Sequence, residues 1–360
     1  MRVLFSALFL LVAATAVARP SHACAPAPPE GAFVDIVSEE ALIVFDAAKR
    51  QEHFVRRASF HADSKDFGFL VPTPSKPELA EADDAIFDRL RRAIAPEIIR
   101  RKERHLALGA CATMFLAGDK AAAPFEAASA VEVLGRERVA GLDAAILAAK
   151  DSDALGRWLD DHGYHFRPEL RDWLQAYLDR DYIITAFKIA GDDPRKHATK
   201  ALRMSFASER PFYPYREPSD QRTKLAAFYQ GDPLGPPKRT LRVYLLSAGR
   251  WEGALEGGLA WPAEAEYAAP PKKGLDLGPS LPASLLPAGA WLHAFIDRSS
   301  PRPGTADLLF AEAKDQEPVV PPPMVVVDEQ QVLVPLDLLL IVGVVGVLVW
   351  RVVRRRRARA

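Results

Sequence analysis

An uninterrupted apolar run near the carboxyl end constrains this sequence more than any other feature. Residues 338–350 read Leu-Leu-Leu-Ile-Val-Gly-Val-Val-Gly-Val-Leu-Val-Trp, and residues 354–357 are all arginine. Extended to 332–353, the run is long enough for a helix, at about 1.5 Å per residue, to cross a hydrocarbon core of roughly 30 Å. Clustered arginines stay on the cytoplasmic side of a membrane. We therefore predict a transmembrane helix over 332–353 and a cytoplasmic arginine-rich tail over 354–360. No Leu-Pro-x-Thr-Gly motif precedes the run, which favours a retained helix over a processed one.

The amino end predicts export. Met1 and Arg2 precede an apolar stretch over 3–14, which has the length of a signal-peptide core and is too short to span a bilayer comfortably. Small residues offer cleavage after Ala18 or after Ala23, and we favour a signal peptide over 1–23. A cleaved signal places the following domain outside the cytoplasm, which agrees with the orientation that the terminal arginines indicate.

The two cysteines, Cys24 and Cys111, fit an oxidising compartment. An even pair in an exported chain is a candidate disulfide, and closing a loop of this size stabilises a fold by about 4 kcal/mol in the chain-entropy model. The alternative is two unpaired thiols. Lipidation of Cys24 is less favoured, because Ser21 stands where a large aliphatic residue is expected.

Composition predicts a folded domain between the two ends. Hydrophobic residues make up 49% of the chain and charged residues 26%, so a sizeable core can form. The formal net charge is zero, which gives nucleic acid no general electrostatic attraction. We expect an extracytoplasmic domain over 24–315 and a proline-rich stalk over 316–331. The predicted localisation is the cell membrane, as a single-pass protein.

The hydropathy pattern predicts an α+β fold of largely antiparallel strands with a helical hairpin, in addition to the C-terminal transmembrane helix. A helix beginning at Asp83 or Asp84 and two paired helices, over 153–162 and from Pro168 onwards, carry apolar residues at helical spacing. Short apolar or alternating stretches indicate strands. These strands are predicted at 41–45, 54–60, 67–71, 131–133, 183–189, 202–206, 241–245, 291–295 and 308–310.

Several segments, taken in order, resemble the bacterial family named domain of unknown function 2330. The most specific are Phe-Gly-Phe-Leu-Val-Pro-Thr-Pro at 67–74 and Pro-Phe-Tyr-Pro-Tyr-Arg at 211–216, and the resemblance covers about residues 23–250. The family often has Cys-Gly-Gly at its start, whereas Cys24 is followed here by Ala25 and Pro26. The resemblance implies an exported and often membrane-anchored protein, and it implies no activity.

Histidine is the residue type most informative about chemistry in this chain. His162 and His165, beside Asp161, form the densest group, but Gly163 interrupts the helix between them. They are weak candidates for metal ligands, and the alternative is a helix end at which histidine favours the helix dipole. The sequence contains no Gly-x-Ser-x-Gly, His-Glu-x-x-His or phosphate-binding glycine motif. We predict no catalytic residue, bound metal or cofactor.

Tyr213, Tyr215 and Arg216 form a candidate ligand patch, with a packed strand entry as the alternative. The function that we expect is a membrane-anchored extracytoplasmic module that binds or scaffolds in the bacterial envelope. Its expected partners are the lipid bilayer and an envelope protein or glycan. The alternative is an envelope hydrolase or a metal-dependent enzyme.

Overall fold

The computed structural model describes most of the chain. The described residues are 25–109, 137–149, 151–190, 197–271 and 275–357. The predicted signal peptide, the predicted strand at 131–133 and both cysteines lie outside these residues, and so does the predicted disulfide between Cys24 and Cys111. The chain divides into two compact units, Met1–Ala95 with Val133–Val320, and Pro96–Glu132 with Pro321–Ala360.

Within the described residues the chain forms eighteen strands and five α-helices. In chain order they are β1 (Ala25–Ala27), β2 (Val34–Asp46), β3 (Gln51–Ala62), β4 (Asp66–Thr73), β5 (Glu78–Glu81), α1 (Ala85–Ala93), β6 (Ile98–Gly109), β7 (Glu137–Val139), β8 (Leu142–Leu147), α2 (Ser152–Asp161), α3 (Pro168–Leu178), β9 (Ile183–Ala190), β10 (His197–Ala198), β11 (Leu202–Ala207), β12 (Phe212–Tyr213), α4 (Ser219–Phe228), β13 (Thr240–Ala248), β14 (Trp251–Leu255), β15 (Ala263–Ala269), a short 3-10 helix (Ala283–Leu285), β16 (Ala290–Asp297), β17 (Leu308–Glu312), β18 (Met324–Pro335) and α5 (Leu336–Arg357).

The described part of the first unit contains three sheets. The largest has the strand order β15-β16-β13-β2-β3-β11-β5, with β10 also paired to β3. The second has the order β1-β4-β9-β8-β7, and the third has the order β12-β17-β14. The strand pairs of this unit are antiparallel except that of β2 with β13. Long hairpin strands such as β2 and β3 alternate their side chains between two faces, so each face can be covered by a different layer.

The main core lies between the large sheet and the two smaller sheets. Phe60 of β3, for example, packs edge-on against Phe69 of β4, with ring centroids 5.4 Å apart. Phe310 of β17 packs against Phe295 of β16 at 5.7 Å. This apolar centre is nearly inaccessible to water, and its burial supplies most of the driving force for folding. Its members include Val34, Ile43, Phe54, Val71, Phe187, Met204, Val243 and Leu308.

Helices cover the outer faces of the two larger sheets. The outer face of the large sheet carries Leu42, Val44 and Val55, and it packs against α1 and the loop that contains Leu277 and Leu281. The outer face of the second sheet packs against α2 and α3. The buried residues of α3 recur at helical spacing, as the sequence predicts, and are Leu170, Trp173, Leu174, Tyr177 and Leu178.

Local chemistry explains where the helical hairpin begins and how closely it packs. Asp151 caps α2, because its side chain accepts a hydrogen bond from the Ala154 N–H at 2.6 Å. Proline occupies the first position of α3, where its missing N–H costs nothing. The Tyr164 ring, in the turn between the helices, lies on Gly68 of β4. A Cβ on Gly68 would stand only 1.9 Å from Cδ1 of Tyr164, so this contact requires glycine.

The second unit contains β6, β18 and α5. β6 and β18 pair in parallel, from Ile98 opposite Met324 to Gly109 opposite Pro335. Arg100 Nη1 lies 3.6 Å from Asp328 Oδ2 across the pair. α5 follows β18 directly and carries arginine at all four positions of its last turn.

Two predictions about the fold are wrong. The described part of the protein is mostly β-sheet rather than α+β, because segments that lack an obvious strand pattern are recruited as strands by their neighbours.

In the ranges that the structure describes, no helix combines the length and the apolar character needed to cross a membrane. The predicted transmembrane helix over 332–353 is therefore contradicted. The apolar run is divided, since it belongs to β18 as far as Pro335 and to an arginine-terminated helix after it.

Candidate functional site

A row of polar side chains crosses the outer face of the large sheet beside the start of α1. The register of the β2–β3 hairpin places Glu40 opposite Arg57 and Ser38 opposite Ser59. Side chains that stand opposite one another on one face of a sheet interact directly. Sequence reasoning missed these residues. The register that places them opposite one another is fixed by the two predicted strands and by the turn at 47–50 between them.

These residues line a half-open pocket beside α1, which we call the Glu40–Arg57 pocket. Its volume is about 390 Å³, within the range of roughly 300–1,000 Å³ that is typical of small-molecule sites. It lies entirely within the first unit. Its lining residues are Ser38, Glu40, Arg57, Ala58, Ser59, Asp84, Ala198 and Thr199.

The charged groups of the pocket are held in place by one another. Arg57 donates from Nε and Nη2 to Glu40 Oε2, at 2.9 and 2.6 Å, and from Nη1 to the Asp84 carbonyl oxygen at 3.4 Å. The guanidinium lies over the ring of Phe87, 4.8 Å from its centroid. Arg91 of α1 donates to the second oxygen of Glu40. Arg57 and Glu40 therefore form a fixed wall of the pocket rather than flexible surface side chains.

The hydroxyl groups of the pocket differ in whether they already form hydrogen bonds within the protein. Thr199 Oγ1 accepts a hydrogen bond from the Ala58 N–H at 3.0 Å, which ties the segment before β11 to β3. Ser38 and Ser59 make no side-chain hydrogen bond to any residue that the structure describes. Asp84 accepts a bond from the Ala201 N–H through Oδ1 at 2.8 Å, and Arg57 Nη1 lies 3.8 Å from the same oxygen, whereas Oδ2 makes no hydrogen bond to any residue in the described ranges. Two serine hydroxyls and one carboxylate oxygen are thus available to a ligand.

The candidate ligand patch of Tyr213, Tyr215 and Arg216 lies inside the protein. Tyr213 and Tyr215 are fully buried, and the side chain of Arg216 is 13% exposed. Tyr215 donates from its hydroxyl to Asp297 Oδ2 at 2.6 Å, and burial raises the pKa of Tyr215 well above its usual value. These side chains join neighbouring strands and helices instead of facing solvent.

Two buried ionic networks surround this segment. In the first, Arg56 Nη2 lies 2.7 Å from Glu39 Oε1, and Arg302 Nη1 lies 3.4 Å from Oε2 of the same residue. Burial by itself would raise the pKa of Glu39, but Arg56 and Arg302 hold it at about 2. Because a buried charge is costly unless it is paired, this network specifies one arrangement of the sheets around it.

The second network centres on Asp307 at the start of β17. Its carboxylate accepts hydrogen bonds from the Tyr177 hydroxyl at 2.7 Å and from Arg180 Nη2 at 3.1 Å, and it lies 3.0 Å from Arg216 Nε. Burial raises the pKa of Asp307 to about 6 in spite of the two arginines. Arg180 and Arg216 both pair with Glu256, which carries the network to the surface.

The two weak candidates for metal ligands follow α2, with His162 as its C-cap and His165 in the loop after it. His162 Nδ1 is 2.7 Å from the Trp158 carbonyl oxygen, and its ring stacks on Trp158 with centroids 3.9 Å apart. These contacts engage one ring nitrogen of His162 within its own helix. No group of three or more histidine, cysteine, aspartate or glutamate side chains suited to a metal ion occurs in the described residues. His162, His165 and Asp161 therefore do not form such a group in that part of the chain.

Comparison with known proteins places the chain in a family without adding an activity. A family model described as "Uncharacterized protein conserved in bacteria (DUF2330)" matches residues 21–255. No curated protein matches the chain. Among solved structures, the crystal structure of baculovirus P35 aligns at 8% sequence identity with a TM-score of 0.35, over 81% of this chain and 99% of that chain, a likeness too low to support an argument. The family model covers more than half of the sequence, so the chain belongs to the DUF2330 family of uncharacterised bacterial proteins.

Proposed function

We propose that this protein is an exported, non-catalytic module that binds a small polar ligand in the Glu40–Arg57 pocket. The observation that carries the proposal is the combination of a fixed ion pair with uncommitted hydroxyl groups in a pocket of about 390 Å³. A ligand site needs a few polar groups in fixed positions, because ordering them beforehand lowers the entropy cost of binding. The ion pair between Glu40 and Arg57 provides that order.

The chemistry of the lining favours binding over catalysis. Each oxygen of Glu40 accepts a hydrogen bond from Arg57 or Arg91, so neither oxygen stands free beside a substrate to take up a proton. The lining residues include no histidine, cysteine or lysine that could activate Ser38 or Ser59 as a nucleophile. What these residues offer a ligand is a set of positioned hydrogen-bonding groups.

A blocking substitution tests the proposal. Ser59→Phe places a large side chain in the pocket from the second half of β3, and Glu312→Phe introduces the same side chain at an exposed position of β17 in another sheet. Both variants and the unmodified full-length chain are titrated with a panel of neutral sugars, sugar phosphates, amino acids and dicarboxylates, with thermal shift and calorimetry as readouts. We expect at least one compound to bind the unmodified chain and Glu312→Phe but not Ser59→Phe. Binding that survives Ser59→Phe, or no binding by any panel compound, would refute the proposal.

Export is part of the proposal and is supported by the charged start and apolar core of residues 1–23. Mass spectrometry of the protein isolated from the bacterial envelope measures its first residue. We expect the mature chain to begin at Cys24. A product that retains Met1 and fractionates with cytosolic markers would contradict export. It would not affect the proposal that the Glu40–Arg57 pocket binds a ligand.

A further inference from the structure

We infer that the ligand of the Glu40–Arg57 pocket is a neutral polyhydroxylated molecule, either a free saccharide or a sugar unit of a glycan. This inference rests on the proposed function and specifies its ligand class. It follows from which hydrogen-bonding groups of the lining remain available and from the charge that surrounds them.

The arrangement of charge disfavours an anionic ligand. The two carboxylates of the lining, Glu40 and Asp84, are balanced by Arg57 and by Arg91, which donates to Glu40, so the pocket has no positive excess to attract an anion. Phosphates and carboxylates bind best to a guanidinium that presents two parallel N–H groups. The Nε–Nη2 edge of Arg57 is already occupied by Glu40, and Nη1 reaches the Asp84 carbonyl oxygen, so this edge is not free for an anion.

The same geometry disfavours a cation. Hard metal ions require six or more oxygen ligands, or several waters with one or two carboxylates. Both oxygens of Glu40 already accept bonds from Arg57 and Arg91. Organic cations favour aromatic faces, but the lining contains no aromatic side chain, and Phe87 behind it is covered by Arg57.

A polyol matches the groups that remain. The hydroxyls of Ser38 and Ser59 stand on opposite strands as direct partners, and each can donate and accept a hydrogen bond. Asp84 Oδ2 adds a charged acceptor at the start of α1. Each hydroxyl of a sugar also donates and accepts, so the sugar can satisfy all three groups at once. The methyl groups of Ala58 and Ala198 provide apolar contact for the C–H surface of a ring.

Single-atom changes in the full-length chain test the ligand class. Ser38→Ala and Ser59→Ala each remove one hydroxyl, and we expect each to weaken binding of a neutral sugar roughly 2- to 12-fold, the effect of one neutral hydrogen bond. Asp84→Asn keeps the acceptor for Ala201 but removes the charge, and we expect a loss of about 10-fold or more. Ser284→Ala, at an exposed serine outside the lining, is the matched control and should bind as the unmodified chain does.

The probes are glucose, galactose, N-acetylglucosamine, glucose 6-phosphate, succinate and an array of neutral oligosaccharides. Calorimetry with the monosaccharides and binding to the array distinguish a free sugar from a glycan unit, and either result supports the inference. A different result would overturn the inference: glucose 6-phosphate or succinate binds in preference to every neutral sugar, and Ser59→Phe abolishes that binding. The proposed binding function would then still stand. If neutral sugars bind and the three lining variants match Ser284→Ala, the inference also fails, since the sugar then binds elsewhere.

Discussion

A buried histidine provides a direct test of the interior of the large sheet. His293 of β16 is completely buried; its Nε2 lies 2.9 Å from the Trp251 N–H, and its Nδ1 lies 3.1 Å from the Leu245 carbonyl oxygen. Since Trp251 N–H can only donate, Nε2 must accept and Nδ1 must carry the proton. A second proton on Nε2 would face another N–H. Burial accordingly lowers the pKa of His293 from 6.5 to about 4.

The magnitude follows from proton linkage. As the pH falls below 6.5, the unfolded chain binds a proton at this histidine and the folded chain does not. The stabilising contribution of neutral His293 is therefore complete above pH 6.5 and is lost as the pH falls towards 4. At about 1.36 kcal/mol for each unit of pKa, the loss between pH 7 and pH 5 is about 2 kcal/mol. His293→Gln retains a donor and an acceptor but cannot titrate, so it lacks this loss.

Urea unfolding at pH 7 and pH 5, followed by tryptophan fluorescence, measures the effect. We expect the free energy of unfolding of the unmodified chain, relative to His293→Gln, to fall by about 2 kcal/mol between the two pH values. Leu292→Ala, a buried non-titrating change next to it in β16, is the control and should cost about 2–5 kcal/mol at both values. If the free energies of unfolding of the unmodified chain and His293→Gln differ by the same amount at pH 7 and at pH 5, the conclusion that His293 is buried and neutral is refuted.

Three further predictions concern other buried contacts. Burial raises the pKa of Glu52 well above 4.5, so its folded form stays protonated where the unfolded chain ionises; Glu52→Gln should therefore stabilise the protein at pH 8 but not at pH 4 in urea titrations. Gly68→Ala should cost about 1–3 kcal/mol by collision with the Tyr164 ring, and calorimetry should show a smaller cost in a Tyr164→Ala background. Tyr215→Phe should cost about 1.5–3 kcal/mol by removing the hydrogen bond to Asp297, measured by denaturant unfolding; an unchanged stability would argue against the buried position of Tyr215.

Alternation of polar and apolar residues predicted strands well where one face is buried. β11 and β13 lie at the predicted positions, because their buried residues follow the two-residue repeat of a strand. β15 reads Ala-Glu-Ala-Glu-Tyr-Ala-Ala, a composition that favours helix, yet it pairs with β16 along its length. Partner strands from distant parts of the sequence override such local preferences. This long-range pairing is the reason that the α+β class could not be corrected from sequence alone.

The candidate site was harder to predict than the fold. Tyr213 and Arg216 are aromatic and cationic, which is typical of binding surfaces, but the same residue types also satisfy buried carboxylates such as Asp307. Ser38 and Ser59 carry no motif in the sequence. They become a pair only through the hairpin register, and they line a pocket only because α1 begins beside them. Chemistry that depends on such juxtaposition is not visible in local patterns.

The parallel pairing of β6 with β18 bears on the order in which the protein is made. β6 is synthesised long before its partner, since Ile98 precedes Met324 by more than 200 residues. Parallel strands that are distant in sequence pair slowly, because a long loop must close before any ladder bond forms. During translation β6 consequently remains without this partner, and its exposed edge is open to chaperones and to neighbouring nascent chains. A ribosome that stops before Met324 would release a chain with that edge permanently open, so we expect premature termination at this point to yield an aggregation-prone product.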